Sequence, residues 1–289
     1  MRAVPIPQRS RLLGLRRLAL AGGAILCAGC GDAPRADPPR PPFVTLEPGL
    51  EVVRRWPEGD SSARQDPVTL VHADPSRFEL VLLTAAAHGG ARTADRWADD
   101  FDLVAVINAS MYLPNERSTG LMIDGDHVNN PTVNPSFGGV LAFGPKQADL
   151  PPMRLVGLDC RGVDVDSLRA HYRTLVQNYR LLDCEGEPIS WTDRKLYATA
   201  AVGVDDRGWV VFAHSGAPQQ TASLARWLAR EDWGVEAAHF VEGGSDASLL
   251  VAGGGQRIEV IGSYEGTVAP RSFREVPNVL GLRRRVEAQ

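Results

Sequence analysis

Short apolar runs of β-strand length occur along most of the chain, separated by turns that its 29 glycines and 21 prolines supply. The runs predicted as strands are Leu50–Trp56, Val68–His72, Phe78–Thr84, Leu103–Ile107, Phe137–Phe143, Leu196–Val204, Val210–Ala213, Ala237–Val241 and Ser248–Val251. Helical spacing is confined to Arg92–Asp100, Asp164–Val176 and Gln220–Trp233. Strand-length runs joined by short turns predict a mixed α/β (α+β) fold, a single domain with a mostly antiparallel twisted sheet and a few helices.

The first 30 residues have the order of an export signal. Five arginines precede an apolar run, Leu18–Ala28, that is too short to span a bilayer comfortably. The small residues before Cys30 resemble a bacterial lipoprotein cleavage site, which makes Cys30 the predicted lipidated residue. The expected location is therefore the bacterial cell envelope, periplasmic or surface-facing, with a lipid anchor in the membrane. An ordinary secretory signal and an uncleaved anchor are the alternatives.

Composition divides the remainder into two parts. Residues 31–43 are rich in proline and predict an extended tether, and residues 44–286 are long enough for one sizeable core. The whole chain carries 31 basic and 35 acidic residues, and the signal holds five of the arginines and no acid. The mature protein is therefore clearly acidic, which argues against nucleic-acid binding.

Two cysteines remain after the signal. Cys160 and Cys184 flank a predicted helix, and in an exported protein such a pair favours a disulfide. Two free buried thiols or a pair of metal ligands are the alternatives, although two cysteines without a nearby histidine pair make a poor zinc site.

An acidic residue stands between two predicted strands near the C-terminus. Glu242 follows Ala237–Val241, and Gly243, Gly244 and Asp246 separate it from the next strand. Paired glycines permit backbone conformations and close approaches that other residues resist, so the carboxylate of Glu242 can point into a cleft. The alternative is a glycine-rich hairpin with a solvated glutamate.

Three stretches, in the same order along the chain, resemble the phosphodiester glycosidase family, over roughly residues 50–285. They are Ile107–Tyr112, the strand pair 200–215, and Val-Glu-Gly-Gly-Ser-Asp-Ala-Ser-Leu at 241–249. Glu242 stands where much of that family has aspartate. The resemblance implies a hydrolase of sugar phosphodiester linkages in envelope or extracellular glycans. A catalytically silent glycan-binding or structural envelope lipoprotein on the same scaffold is the alternative.

The resemblance and the residue chemistry together predict a site. Glu242 and Asn108 are the expected catalytic residues, with Glu242 as base, nucleophile or stabiliser of the oxocarbenium ion. The residues expected to contact a carbohydrate or sugar-phosphate substrate are Gln177, Asn178, Arg180, Arg194, Lys195, Tyr112, Ser215, Gly243, Gly244 and Asp246. A guanidinium suits phosphate, so Arg180 is a natural partner for it, and the expected cation is Arg180, Arg194 or Lys195, with the choice among them left open by the sequence.

Simpler interpretations exist for several of these residues. Asn108 could cap a turn, and Arg180 could lie on the surface. Ser215 lacks a Gly-x-Ser-x-Gly elbow, which favours binding or capping over nucleophilic attack. The sequence contains no zinc motif or Walker loop, so no cofactor is expected. A divalent metal is not excluded, because oxygen-ligand sites leave no fixed spacing.

Overall fold

The computed structural model describes residues 43–56 and 66–286 of the chain. The predicted export signal, the lipidation site Cys30 and the tether up to residue 42 lie outside the described residues. Within the described ranges, no helix has the length and apolar character needed to cross a membrane.

Sixteen strands and four α-helices make up the described part of the chain. The strands are β1 Val44–Glu47, β2 Leu50–Arg55, β3 Val68–Ala73, β4 Phe78–Thr84, β5 Leu103–Asn108, β6 Met122–Asp124, β7 His127–Asn130, β8 Gly139–Pro145, β9 Met153–Gly157, β10 Tyr172–Arg180, β11 Thr199–Asp205, β12 Val210–His214, β13 Val235–Gly243, β14 Ser248–Gly253, β15 Gln256–Ile261 and β16 Asn278–Arg284. The helices are α1 Ala85–His88, α2 Ala94–Phe101, α3 Val165–His171 and α4 Thr221–Leu228. Two short 3-10 turns, Glu231–Trp233 and Gly244–Asp246, flank β13.

The strands form two sheets, and every described strand pair is antiparallel. The larger sheet has 11 strands, in the order β1-β2-β3-β12-β11-β13-β10-β6-β7, with β8 also paired to β10 and β9 paired to β8. The smaller sheet has five strands, in the order β15-β14-β5-β16-β4. The fold is therefore mostly antiparallel sheet with few helices, and the sheets contribute far more than a mixed α/β description suggests.

The core lies between the two sheets. Its main cluster joins apolar side chains from both, such as Val52 and Phe212 of the larger sheet with Ile107 and Leu280 of the smaller one. Helix α4 packs on the outer face of the larger sheet, and α2 packs on the outer face of the smaller sheet through Trp97. Central strands are covered on both faces, which explains why β5 is a continuous apolar run.

One predicted helix is wrong over its last five residues, 172–176. The sequence pattern places a helix over Asp164–Val176, but α3 ends at His171 and β10 begins at Tyr172. Residues 172–178 pair with β8 on one side, and residues 174–176 pair with β6 on the other. These backbone pairings, together with the strand preference of Tyr, Thr and Val, outweigh a helical spacing of only three apolar residues.

The predicted disulfide is present. Cys160 and Cys184 are bonded, and their Cα atoms lie 5.7 Å apart, within the usual range for a disulfide. The bond joins the segment before α3 to the loop after β10.

Candidate active site

A β-bulge presents Glu242 at the end of β13. In the pairing with β11, Phe240 lies opposite Ala201 while Glu242 lies opposite Ala200, so Val241 is an extra residue on β13. A bulge re-aims the side chains beside it, and here it separates Glu242 from the regular alternation of the strand. The side chain of Glu242 is buried, with 8% of the residue exposed.

The two glycines after Glu242 let the chain turn beneath aromatic rings. Gly243 donates its N–H to Glu242 Oε1 at 2.9 Å, and Gly244 has a φ of 72°. A side chain on Gly243 would collide with the ring of Tyr197, and one on Gly244 would collide with the ring of Tyr264. Glycine is therefore required at both positions for the turn to pack as it does.

Burial makes Glu242 an unusually weak acid. Loss of hydration raises its pKa to about 8, and the charge of Asp246 acts in the same direction. The hydrogen bond from Gly243 opposes both effects but does not outweigh them. A carboxyl with a pKa near neutrality can accept a proton in catalysis and release it again, which is the property expected of a general base.

Asp246 lies at the centre of a polar cluster beside Glu242. The Tyr112 hydroxyl donates to Asp246 Oδ2 at 3.0 Å, and Arg274 Nε lies 3.1 Å from Asp246 Oδ1. Burial raises the pKa of Tyr112, as do the charges of Asp246 and Glu242, so Tyr112 remains a neutral hydrogen-bond donor. The structure thus brings together three predicted site residues, Glu242, Asp246 and Tyr112.

Asn108 positions this cluster through both ends of its amide. Its Nδ2 donates to the carbonyl oxygen of Asp246 at 2.9 Å, and its Oδ1 accepts from the backbone N–H of Ser248 at 2.8 Å. Asn108 is 1% exposed. Its amide clamps the turn after Glu242 to the end of β5, and a direct catalytic role for it stays a prediction.

Gln177 and Asn178 are also buried and bonded to backbone. Gln177 makes four hydrogen bonds, accepting from the N–H groups of Leu121 and Asn134 and donating to the carbonyls of Asn134 and Phe137. Asn178 Nδ2 donates to the carbonyl of Ala109 at 2.9 Å. These amides hold the loops around the site in place. Both N–H groups of the Gln177 amide already donate to carbonyls, so Gln177 has no donor left for a substrate.

Arg180, one of the three cations predicted from the sequence, already contacts other groups of the protein. One terminal nitrogen lies 2.7 Å from Asp159 Oδ2, and the other lies 3.5 Å from the sulfurs of Cys160 and Cys184. Only 10% of its side chain is exposed. The alternatives Arg194 and Lys195 lie exposed on the loop that precedes β11.

Ser215 is buried just past the end of β12. Its hydroxyl accepts from the N–H of Thr199 at 2.8 Å and donates to the carbonyl of Ala217 at 3.0 Å. The neighbouring His214 accepts from the N–H of Gly216, and burial lowers its pKa to about 4. Both side chains therefore stabilise the backbone at this end of the sheet, and the predicted role of Ser215 in binding substrate stays a prediction.

A cleft of about 530 Å³ is lined by Arg180 and by sequence neighbours of the cluster, but not by Glu242, Asp246, Tyr112 or Arg274 themselves. Its walls include the aromatic side chains of Tyr179, Trp191, Tyr197 and Phe240. Met111, the neighbour of Tyr112, lies at its edge, and the ring of Tyr197 packs on Gly243. The cleft therefore adjoins the turn that follows Glu242.

Within residues 43–56 and 66–286, the side chains grouped closely enough to hold a metal are Asp159, Cys160 and Cys184. The two sulfurs are bonded to each other, so neither is a thiolate available to a metal. This group fits a metal poorly. The expectation that the protein needs no cofactor stays a prediction.

The model of the phosphodiester glycosidase family matches residues 101–283. The chain belongs to this family. The matched segment includes Asn108, Tyr112, Glu242, Asp246 and Arg274, which are the residues that the structure groups around the glycine turn. No curated protein matches the chain by sequence.

Solved structures show the same fold. The catalytic domain of zebrafish N-acetylglucosamine-1-phosphodiester alpha-N-acetylglucosaminidase, auto-inhibited by its pro-peptide, has a TM-score of 0.61 at 17% identity, over 83% of this chain and 85% of that one. A hypothetical protein from Synechocystis has a TM-score of 0.61 at 15% identity, over 87% of this chain and 65% of that one. At these identities the likeness establishes the fold.

Sequence patterns alone do not identify Arg274. The residue lies in the irregular segment between β15 and β16, where no motif marks it. The sequence shows only that apolar Phe273 and Val276 stand on either side of Arg274, and the structure buries both. Their burial holds the segment against the domain.

Proposed function

We propose that this protein hydrolyses sugar phosphodiesters in envelope or extracellular glycans, breaking the bond between the anomeric carbon and the phosphate oxygen. The observation that carries the proposal is the environment of Glu242, a buried carboxyl whose pKa is raised to about 8 beside the Asp246 cluster. Membership of the phosphodiester glycosidase family supports this class of bond.

In the proposed reaction, ionised Glu242 acts as the general base. It takes a proton from a water molecule while the water oxygen bonds to the anomeric carbon and the bond from that carbon to the phosphate oxygen breaks. The electron pair of that bond leaves with the phosphate, and Glu242 then releases its proton to solvent. A phosphomonoester leaves readily, so the reaction depends on an activated water and on stabilisation of the phosphate charge.

The aromatic cleft suits a sugar. Tyr179, Trp191 and Phe240 offer flat apolar faces, and Asp193 and Ser190 offer polar groups at the same wall. Pockets of this kind, apolar with a few polar groups, are typical of sites for small ligands. We assign the sugar ring to this cleft and the scissile bond to its end near Glu242.

The test is hydrolysis of a panel of phosphodiesters that includes UDP-N-acetylglucosamine and other N-acetylglucosamine phosphodiesters. Glu242→Gln keeps the shape of the side chain and removes the base, so we expect turnover to fall by about 10²- to 10⁴-fold with folding intact. Glu236→Gln is the matched control, because Glu236 lies exposed on the same strand. Full activity in Glu242→Gln would move catalysis elsewhere, with Asp246 as the next candidate.

A catalytically silent glycan-binding protein is the second candidate. It is favoured by the polar side chains of Asn108, Gln177 and Ser215, whose hydrogen bonds go to the protein backbone. In that case glycans would bind to the wild type and to Glu242→Gln with equal affinity, and neither protein would turn over any member of the panel.

The proposed location is the cell envelope, with a lipid on Cys30. The order of basic, apolar and small residues before Cys30 supports it. Fractionation of cells that express Cys30→Ser tests the anchor. The variant is expected in the soluble fraction, and an unchanged membrane fraction would count against lipidation.

A further inference from the structure

Arg274 combines an acidic partner with a largely exposed side chain. Its Nε lies 3.1 Å from Asp246 Oδ1, and 60% of its side chain is exposed, against 28% for Asp246. Water reaches the guanidinium, whereas Asp246 Oδ1 is buried and accepts no hydrogen bond. The guanidinium can therefore keep Asp246 on one side and receive a second anion on its solvent-exposed side.

The backbone around Arg274 is held firmly although its side chain is exposed. Phe273 packs in the cluster that contains Trp97. Val276 pairs with Arg92, and its carbonyl accepts a hydrogen bond from Trp97 Nε1 at 3.0 Å. Phe273 and Val276 therefore hold the backbone on both sides of Arg274. The guanidinium is confined to the space around this fixed backbone, where it contacts Asp246.

The cations predicted from sequence are less suitable for binding phosphate. Arg180 would have to leave Asp159, at 2.7 Å, and its guanidinium is largely buried. Arg194 and Lys195 lie exposed on a different segment, the loop before β11. Arg274, by contrast, contacts the acid whose charge acts on Glu242.

We propose that Arg274 binds the phosphate of the substrate, using the solvent-exposed side of its guanidinium for a bidentate contact with the phosphate oxygens. The inference rests on the function proposed above and names the group that recognises the substrate's charge. As the bond to the anomeric carbon breaks, the phosphate changes from a monoanion to a dianion. A cation at this point therefore contacts the group on which negative charge accumulates, and its removal should lower kcat as well as affinity.

The experiment measures binding separately from turnover. Affinities are measured at pH 6.5 in the Glu242→Gln background for two probes, the methyl phosphodiester of N-acetylglucosamine 1-phosphate and inorganic phosphate. Arg274→Gln is compared with Arg271→Gln, which removes the same charge from an exposed residue of the same segment. Arg274→Lys keeps the charge and loses the bidentate geometry.

We expect Arg274→Gln to weaken both probes by about 10- to 100-fold, Arg274→Lys to weaken them less, and Arg271→Gln to change them less than twofold. Equal affinity in Arg274→Gln and the Glu242→Gln parent, equal losses in the Arg271 and Arg274 variants, or no phosphate binding by the parent would each overturn the inference. If phosphate binding depends on Arg274 but no phosphodiester is hydrolysed by the wild type, the proposed function fails and the anion site stands.

Discussion

Two buried carboxylates lie at opposite ends of one strand pair and have opposite acid strengths. Glu242 of β13 lies opposite Ala200, and Asp205 of β11 lies opposite Val235, with a register shift beside each. Both residues are buried, with exposed fractions of 8% and 1%. Yet the pKa of Glu242 is raised to about 8, while that of Asp205 is lowered to about 2.

The hydrogen-bond partners account for the difference. Burial alone would raise the pKa of Asp205, but His72 Nδ1 at 2.9 Å, Arg207 and the N–H of Trp209 hold its charge and outweigh burial. Among the described contacts of Glu242, its carboxylate accepts one hydrogen bond, from Gly243. Asp205 therefore stabilises the fold as an anion, whereas Glu242 is left as a carboxyl that can exchange protons near neutral pH.

The largest effect should come from removing the charge of Asp205. Asp205→Asn leaves Arg207 with Glu51 as its remaining carboxylate partner and takes the buried anion away from His72, so we expect a loss of about 3 kcal/mol in the free energy of unfolding at pH 7. Denaturant unfolding measures it, and Asp126→Asn is the control because Asp126 lies exposed in a hairpin turn. If Asp205→Asn were as stable as the wild type, Asp205 would not stabilise the fold as an anion.

Glu242→Gln should increase the free energy of unfolding at high pH, the opposite of the loss expected for Asp205→Asn. Since its pKa is raised in the folded state, the stabilising contribution of Glu242 is complete below its ordinary value of 4.5 and is lost as the pH rises through about 8. Gln carries no charge at any pH. The variant should therefore match the wild type at pH 4 and exceed it in stability at pH 8.

The pH dependence of catalysis should show the same pKa. For a diester substrate, whose phosphate does not titrate in this range, kcat/KM should rise with pH and level off above about 8, following ionised Glu242. The expected increase is roughly 50-fold between pH 6 and pH 8. If kcat/KM instead falls as the pH rises through 8, Glu242 acts as a general acid and not as a base. If kcat/KM does not change with pH, ionisation of Glu242 does not affect the rate.

The sequence predicted the fold well where elements are local. The strand Phe78–Thr84 is found with its predicted bounds, and helix α4 buries Leu224, Trp227 and Leu228 as its spacing predicts. Tyr172–Val176 was predicted as helix because its strand character depends on pairing with β8 and β6, which a local pattern does not contain.

Only part of the site could be predicted, because sequence patterns identify local features and not contacts between distant residues. Glu242 could be identified because an acid ends a buried strand and paired glycines follow it, a pattern within a few residues. Asp205 begins a hairpin turn, and its Oδ1 accepts from the turn N–H groups of Arg207 and Trp209. Its partner His72 lies 133 residues away in the sequence, so no local pattern reveals that bond. The contact between Arg274 and Asp246 is hidden in the same way.

The most direct test is a carboxyl titration by ¹³C NMR, with Glu242→Gln and Asp205→Asn used to assign the two resonances. We predict that Glu242 titrates with a midpoint near pH 8 and that Asp205 is still ionised at pH 4, since its pKa is about 2. A Glu242 midpoint near its ordinary value of 4.5 would contradict the account, because the residue would then be a solvated carboxylate and not a base tuned by burial.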